Sequence, residues 1–241
     1  MFANAYDDAV RAAAYARLTF PGTYHLAFRD LPDLLGAPGR ALDFGCGAGR
    51  STRFLKELGF QAEGVDLSEA MLAEARVRDP EGRYLRVPDG DLSPLAGRRY
   101  DRILSAFTFD NVTCKGALLR QLADLLEPGG RLLNLVSSEE LYRLEWASFS
   151  TAAFPGNRAP AEGDRVYTVM KDVPDARPVT DIFCPERAYL ALYGAAGLVR
   201  VQAHRPLGRP EEPFAWINET RVAPWRIDVL ARAGAPGSPL G

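Results

Sequence analysis

The chain has 241 residues, of which 47% are hydrophobic and 25% are charged, and its formal net charge is −2. This size and composition fit one α/β domain with an elaboration, or at most two small domains. No long basic stretch occurs, which argues against a nucleic-acid-binding surface, because phosphate contacts need clustered Lys and Arg.

Two helices are predicted before the first strand. One covers the apolar positions from Val10 to Leu18 and ends at Phe20-Pro21-Gly22, and the second runs from about Tyr24 to Leu35. Strands and helices then alternate. The predicted strands are 41–44, 62–65, 84–87, 100–107, 131–136, 198–204 and 225–231, and the predicted helices between them are 51–58, 69–78, 117–126 and 185–196.

This alternation predicts an α/β fold with a doubly wound parallel sheet, in which ligands bind at the carboxyl ends of the strands near the switch point. Residues 138–180 interrupt the rhythm and are predicted to be an inserted cap. The predicted organisation is a helical segment 1–39 over the active site, a core of 40–137 and 181–233, the acceptor-binding insertion 138–180, and a disordered tail 234–241.

A glycine-rich turn follows the first predicted strand and opens the next helix. It reads Asp43-Phe44-Gly45-Cys46-Gly47-Ala48-Gly49. Glycines permit a tight turn and a close ligand, and the helix N-terminus offers free N–H groups. Asp66 ends the second predicted strand, where a carboxylate can accept hydrogen bonds from ribose hydroxyls.

Both nicotinamide-dependent enzymes and methyltransferases use this arrangement. The dinucleotide fingerprint GxGxxG needs glycine at position 50, and this chain has Arg50. Asp43 is unfavourable beside a pyrophosphate but suits a cofactor with an ammonium group. The turn therefore favours S-adenosylmethionine, and a nicotinamide-dependent oxidoreductase remains an alternative.

On these motifs the chain resembles the class I S-adenosylmethionine-dependent methyltransferases. Asp43–Gly49 is similar to their first motif, Gly64–Ser68 to the second and Val87–Asp91 to the third. Residues 100–105 and 126–131 resemble the fourth and fifth. The resemblance covers roughly 40–136 and returns in the last two strands. It implies a Rossmann-like, seven-stranded, mostly parallel sheet whose final strand lies antiparallel beside the fifth.

The resemblance also implies the cofactor-binding residues. Asp89 is preferred over Asp91 as the acid that meets the adenine amino group, because it lies twelve residues before Asp101. Cys46 is interpreted as a small packing residue, and Met71 as a core residue that can also line the adenine pocket. The predicted set is Asp43, Gly45, Cys46, Gly47, Gly49, Asp66, Leu67, Met71, Asp89, Gly90, Ser105 and Ala106.

The acceptor side is less determined, because methyl transfer mainly needs positioning and exclusion of water. A general base is needed only where the acceptor must lose a proton. The candidates are His204, His25 and Asp110, and for each histidine a surface or packing role is the favoured alternative. The predicted acceptor-binding residues are Tyr24, Asn111, Trp146, Phe149 and Trp216. The aromatic residues of the insertion suit an acceptor pocket or a satellite core beneath the cap.

No Asn-Pro-Pro-Tyr or Asp-Pro-Pro-Tyr segment follows the fourth strand, where residues 107–110 read Phe-Thr-Phe-Asp. O-, N- and C-methylation therefore stay open, with a small-molecule acceptor favoured. Two further alternatives remain. One is a protein of the same fold that binds S-adenosylmethionine without transferring its methyl group, and the other uses that cofactor for a different reaction.

Three cysteines, Cys46, Cys114 and Cys184, are widely spaced and form neither a disulfide framework nor a CxxC pattern. We therefore expect reduced thiols and no metal site. The first ten residues are acidic and lack an apolar core, and no apolar run approaches a membrane span. These features predict a soluble cytoplasmic protein without membrane or nucleic-acid partners, and they leave the oligomeric state open.

Overall fold

The computed structural model describes residues 8–19 and 21–234. The predicted disordered tail lies outside the described residues apart from Gly234, and Phe20 of the predicted helix end lies outside them too. The strands are β1 (Arg40–Phe44), β2 (Gln61–Asp66), β3 (Arg83–Arg86), β4 (Tyr100–Ala106), β5 (Leu126–Ser137), β6 (Phe149–Ser150), β7 (Arg165–Met170), β8 (Val179–Ile182), β9 (Leu198–His204) and β10 (Trp225–Arg232). The helices are α1 (Ala9–Tyr15), α2 (Thr23–Arg29), α3 (Leu31–Leu35), α4 (Arg50–Glu57), α5 (Glu69–Arg78), α6 (Thr108–Asn111), α7 (Lys115–Asp124) and α8 (Glu186–Ala195).

Seven strands form the main sheet in the order β3-β2-β1-β4-β5-β10-β9. The β1–β2, β1–β4, β2–β3 and β4–β5 pairs are parallel. The last strand, β10, is antiparallel to both of its neighbours and places Ile227 opposite Leu135 and His204. The predicted doubly wound fold and the antiparallel position of the final strand are therefore confirmed.

Local sequence signals explain the helix bounds. Ser68 caps α5, because its hydroxyl accepts a hydrogen bond from the Met71 backbone N–H at 3.2 Å, and α5 has the predicted bounds. The predicted second helix is instead divided into α2 and α3 at Asp30. Pro32 explains the break, because proline lacks the N–H that would continue the helix and restricts the residue before it.

Neighbouring side chains along the central strands point to opposite faces of the sheet, and both faces are covered. Leu42, Ile103 and Leu132 join a buried cluster that includes residues of α7 and α8. Ala41, Leu104 and Leu133 join the cluster on the other side, which includes residues of α2, α3 and the insertion. The sheet is therefore a rigid platform, and its carboxyl edge is left for the connecting loops.

The insertion contains a small antiparallel sheet, β6-β7-β8, that the sequence did not predict, and β8 extends the insertion past its predicted end to Ile182. Its third strand, β8, packs on α6, which directly follows β4. The insertion therefore lies against the carboxyl end of β4. Among residues 8–19 and 21–234, no helix is long and apolar enough to cross a membrane.

Candidate active site

A crevice opens at the carboxyl ends of β1, β2 and β4. It lies at the switch point of the sheet, where the chain stops adding strands on one side of β1 and begins to add them on the other. The change lies between β1 and β4, which are paired with Phe44 opposite Ser105. This is where open α/β sheets bind ligands. The crevice is lined by Phe44, Gly45, Asp66, Leu67, Val87, Pro88, Asp89, Gly90, Leu92, Thr108, Val112 and Leu118. Five of the predicted cofactor-binding residues, Gly45, Asp66, Leu67, Asp89 and Gly90, therefore line one space.

The glycine-rich turn has the backbone that its sequence predicts. Gly45, Gly47 and Gly49 have φ values of +73°, +52° and +75°, in the left-handed region that other residues avoid. A Cβ at Gly45 would lie 2.0 Å from Thr108 Oγ1, and one at Gly49 would lie 2.6 Å from the Tyr84 hydroxyl. The turn is thus shaped by close backbone approach as well as by torsion angles.

Asp66 holds the turn from the end of β2. Its Oδ2 accepts a hydrogen bond from the Gly47 N–H, and its Oδ1 accepts one from the Ser68 N–H, both at 2.8 Å. The carboxylate thereby orders both the glycine-rich turn and the start of α5. It also lines the crevice, where its oxygens can accept from ribose hydroxyls, as the sequence predicts.

Asp43 lies beneath the turn and is fully buried. Its Oδ2 accepts hydrogen bonds from the hydroxyls of Ser51 and Thr52, at 2.7 and 2.6 Å. Burial raises the pKa of Asp43 to about 6, against the lowering effect of the two hydroxyls. Its Oδ1 has no hydrogen-bond partner among the described residues. A buried carboxylate oxygen without a donor fits a cofactor that carries an ammonium group.

The remaining predicted cofactor residues surround this turn. Cys46 is buried, and a Cβ at Gly64 would lie 2.8 Å from its Sγ, in accord with a packing role. Met71 packs with Ala48 beside the turn. At the end of β4, Ser105 is fully buried and its hydroxyl has no partner within the described ranges, while Ala106 packs against the core.

Arg50 occupies the position where a dinucleotide fingerprint needs glycine. Its guanidinium lies 5.1 Å from the Tyr24 ring centroid and 5.3 Å from that of Phe28, and it donates to the Thr19 carbonyl at 2.8 Å. The side chain therefore fills the space between the start of α4 and α2. This arrangement agrees with the sequence argument against a pyrophosphate at this helix.

Four aromatic side chains meet above the carboxyl end of β4, and we call Tyr24, Phe107, Phe149 and Trp225 the aromatic box. Their ring centroids are 4.7 to 6.1 Å apart in five of the pairs. Phe107 directly follows β4 and has a φ of +64°. A bulky residue in this region is strained, and such strain is found mainly at functional sites.

Two predicted acceptor-binding residues, Tyr24 and Phe149, are thus brought together, whereas three lie elsewhere. Asn111 is exposed and donates to the Phe107 carbonyl at 3.2 Å. Trp146 is fully buried inside the insertion, where its indole N–H donates to the Leu141 carbonyl. Trp216 lies in the loop before β10 and packs beside Phe214. Trp146 packs in the same buried cluster as Tyr24 and Phe149.

The two candidate histidines belong to a different cluster, centred on Arg29. His204 lies 2.8 Å from Asp30, and His25 lies 3.2 Å from Glu212. Arg29 pairs with both carboxylates, at 2.7 Å each. Since β9 is the edge strand, four strand spacings of about 4.8 Å separate it from β1, or roughly 19 Å. The structure does not bring His204 to the crevice.

Asp110, the third candidate, is buried in α6 beside the end of β5. Its Oδ2 accepts from the Ser137 N–H at 3.0 Å and from the Ser137 hydroxyl at 2.7 Å. Burial raises its pKa, against the lowering effect of these hydrogen bonds. Asp110 is thus the candidate that lies closest in the fold to the end of β4.

The comparisons with known proteins agree with this geometry. Residues 42–134 match the model of the "Methyltransferase domain" family. The structure resembles the CcbJ methyltransferase from Streptomyces caelestis, with a TM-score of 0.66, 19% sequence identity, and coverage of 95% of this chain and 98% of the other. Residues 42–134 form a class I methyltransferase domain. The predicted family and fold are confirmed. The solved structure of an S-adenosylmethionine-dependent methyltransferase from Mesorhizobium loti has this fold, and so does a glycopeptide N-methyltransferase whose structure holds S-adenosylmethionine.

Curated relatives carry methyltransferase names but differ in their acceptors. The chain is 30% identical to a ubiquinone/menaquinone biosynthesis C-methyltransferase from Bordetella avium, over 68% of this chain and 65% of the relative. It is 29% identical to the ribosomal RNA small subunit methyltransferase C of Alcanivorax borkumensis, over 59% of this chain and 49% of the relative. The chain therefore spans about half the length of this second relative.

Several residues of the site were not predicted from the sequence. Phe107 and Trp225 complete the aromatic box, and Thr108 connects α6 to the glycine-rich turn by donating to the Phe44 carbonyl at 3.0 Å. Tyr142 and Asp181 of the insertion meet near Asp110, at a Tyr142 OH to Asp181 Oδ2 distance of 3.0 Å. No local pattern marks these residues, because they meet only when the insertion folds back on α6.

Proposed function

We propose that this chain transfers the methyl group of S-adenosylmethionine to a small-molecule acceptor. The observation that carries this proposal is the pairing of the glycine-rich turn with two acids. Asp66 offers its carboxylate to a ribose at the crevice, and Asp43 holds a buried oxygen without a donor beneath the turn. Together they fit the two ends of an adenosyl amino acid.

When bound, S-adenosylmethionine supplies a methyl group that is activated by its sulfonium sulfur. The residues of this chain then have two tasks. The turn and Asp66 fix the cofactor, and the elements after β4 hold the acceptor and exclude water. Phe107, the partly exposed member of the aromatic box at the end of β4, suits an acceptor with a flat apolar part, because aromatic side chains offer large surfaces with defined geometry.

A nicotinamide-dependent oxidoreductase fits less well. A buried carboxylate below the turn disfavours a pyrophosphate above it, and Arg50 fills the space that a third fingerprint glycine leaves open. Calorimetry with S-adenosylhomocysteine and with NAD, side by side, separates the two functions. We expect binding of S-adenosylhomocysteine only. Binding of NAD alone would refute the proposal.

Transfer itself is tested by incubating the chain and S-adenosylmethionine with phenols, catechols, quinols, aromatic amines and a short RNA. Products are measured by mass spectrometry, and S-adenosylhomocysteine formation is followed in parallel. We expect methylation of a small aromatic acceptor and none of the RNA. The Asp66→Ala variant should need a much higher S-adenosylmethionine concentration for the same rate. Tight cofactor binding without transfer to any probe would instead indicate a cofactor-binding protein without transferase activity.

A further inference from the structure

A second groove lies at the opposite end of the main sheet from the cofactor crevice, near the amino ends of β1, β2 and β3. Its volume is about 540 Å³, which is within the range of small-molecule sites, about 300 to 1,000 Å³. We call it the arginine groove. It is lined by Arg40, Glu63, Gly82, Arg83, Tyr84, Leu85 and Arg98.

The groove is open because the connection between β3 and β4 contains only a short helical turn. Residues 87–99 include one 3₁₀ helix of three residues, Ser93–Leu95, where a doubly wound fold usually has a crossover helix. Glu63 lies opposite Leu42 on one side and Arg83 on the other. Partners in adjacent parallel strands point to the same face of the sheet. The charged side chains therefore emerge on the Leu42 face, beyond its apolar cluster.

Glu63, the acidic residue of the lining, is paired through both carboxylate oxygens. Its Oε2 forms an ion pair with Arg98 Nη1, and its Oε1 accepts a hydrogen bond from the Tyr100 hydroxyl at 2.7 Å. The negative charge of Glu63 is thus balanced by Arg98. The same contacts hold the Arg98 guanidinium at the wall of the groove.

Arg40 and Arg83 supply two further positive charges. The Arg40 guanidinium lies 5.7 Å from the ring centroid of Tyr100, which is 1% exposed, and this cation–π contact orients it. Asp101 accepts the backbone N–H of Arg40 at 2.8 Å but does not line the groove. In the part of the chain that the structure describes, no carboxylate forms an ion pair with the side chain of Arg40 or of Arg83. Three arginines and one glutamate give the lining a formal charge of +2.

This charge matches one phosphate group. A phosphate monoester carries a charge of about −1.5 to −2 near neutral pH and offers three acceptor oxygens. Guanidinium groups bind such oxygens in pairs, through two parallel N–H donors. Leu85 adds an apolar contact in the same lining. We propose that the arginine groove binds a small molecule that carries a phosphate monoester group, at a site separate from the cofactor crevice.

A nucleic acid fits the groove less well. Its backbone needs a row of cations that extends over several phosphates, whereas these arginines line one groove that also contains Glu63. A dicarboxylate divides its charge between two separated groups, whereas a phosphate concentrates it at one point. The phosphate site does not depend on methyl transfer, so its test needs no methyl acceptor.

The first experiment is calorimetry of the full chain with phenyl phosphate. This probe has a phosphate and a flat apolar part but no adenosine, so it does not imitate the cofactor. Benzoate, succinate and a short RNA are the comparison ligands. We expect phenyl phosphate to bind with a stoichiometry of one and more tightly than the other three. Its affinity should fall as salt is added, because the groove is open to solvent.

Arginine variants locate the bound phosphate. Arg40→Gln and Arg83→Gln should each raise the Kd for phenyl phosphate by on the order of tenfold, the lower end of what a hydrogen bond to a charged group contributes. Arg83→Glu should remove measurable binding. The control is Arg120→Gln, which removes an exposed arginine of α7 outside the groove and should keep the wild-type Kd. All four variants should keep the wild-type affinity for S-adenosylhomocysteine, which reports an intact fold.

Competition separates the arginine groove from the glycine-rich turn, whose helix N-terminus is the other place where a phosphate can bind. Saturation with S-adenosylhomocysteine should leave the Kd for phenyl phosphate unchanged, because the two sites lie at opposite ends of the strands. Displacement of phenyl phosphate by S-adenosylhomocysteine would place the phosphate in the crevice and overturn the proposal.

The remaining outcomes are equally decisive. An unchanged Kd in both Arg40→Gln and Arg83→Gln, the lack of saturable binding of phenyl phosphate, or equal or tighter binding of succinate, benzoate or RNA would each overturn the proposal. A wild-type chain that binds phenyl phosphate but no S-adenosylhomocysteine would contradict the proposed function alone. The arginine variants would then still decide whether the phosphate occupies the groove.

Discussion

Replacing Asp66 with alanine tests the cofactor site most sharply. The two carboxylate oxygens each accept a backbone N–H at 2.8 Å, from Gly47 and Ser68, and the same carboxylate lines the crevice. Hydrogen bonds to a charged group contribute about 1.5 to 3 kcal/mol each. Two bonds to a ribose at the lower end of that range amount to about 3 kcal/mol, which raises Kd by on the order of 100-fold.

The assay is isothermal titration calorimetry with S-adenosylhomocysteine. Asp91→Ala is the matched control, because Asp91 lies in the same loop as Asp89 but bonds to the N–H and hydroxyl of Ser93. We expect its Kd to equal that of the wild type. The Asp66→Ala fold should persist with an unfolding free energy lower by about 1 to 2 kcal/mol, because water replaces the lost acceptor at a partly exposed site. An unchanged Kd in a folded Asp66→Ala variant would refute the assignment.

Three further predictions follow from the same geometry. Gly45→Ala should abolish cofactor binding, because its Cβ would lie 2.0 Å from Thr108. The control is Gly97→Ala, where φ is +80° and no atom lies within 4 Å, and it should lose only about 1 kcal/mol of stability and keep the wild-type Kd. Thermal melts and calorimetry compare the two variants. The affinity of the wild type for the cationic S-adenosylmethionine should rise with pH through about 6, because Asp43, with its raised pKa, becomes a carboxylate there. The Kd of Asp43→Asn, measured over the same pH range, should not depend on pH. The same pH dependence in the wild type and in Asp43→Asn would contradict this prediction. His204→Ala should lower the unfolding free energy by less than about 1 kcal/mol and leave cofactor affinity unchanged, since its pair with Asp30 is partly exposed; a loss of methyl transfer at constant stability would restore the histidine as a catalytic candidate.

The core of the fold could be predicted because its signals are local. The family resemblance implies the antiparallel neighbour of the last strand. The local signals are Ser68, which marks the start of α5, and glycines 45, 47 and 49, which mark the turn after β1. Those signals depend on residues near each other in the chain. The break of the predicted second helix at Asp30 follows from the conformational restriction of Pro32.

The acceptor side could not be predicted, because it depends on contacts between distant segments. Tyr24 and Trp225 lie two hundred residues apart in sequence and their rings lie 6.1 Å apart in space. The left-handed conformation of Phe107 has no sequence signature, since glycine is the residue that usually adopts it. Asp181 meets Asp110 only because β8 folds onto α6.

A crystal structure of the chain with S-adenosylhomocysteine tests the central claim most directly. We predict that the ribose hydroxyls donate to Asp66, that the amino group lies at the turn above Asp43, and that the sulfur faces the end of β4. A ligand bound elsewhere, or a crevice filled by protein side chains with Asp66 turned to solvent, would contradict the claim.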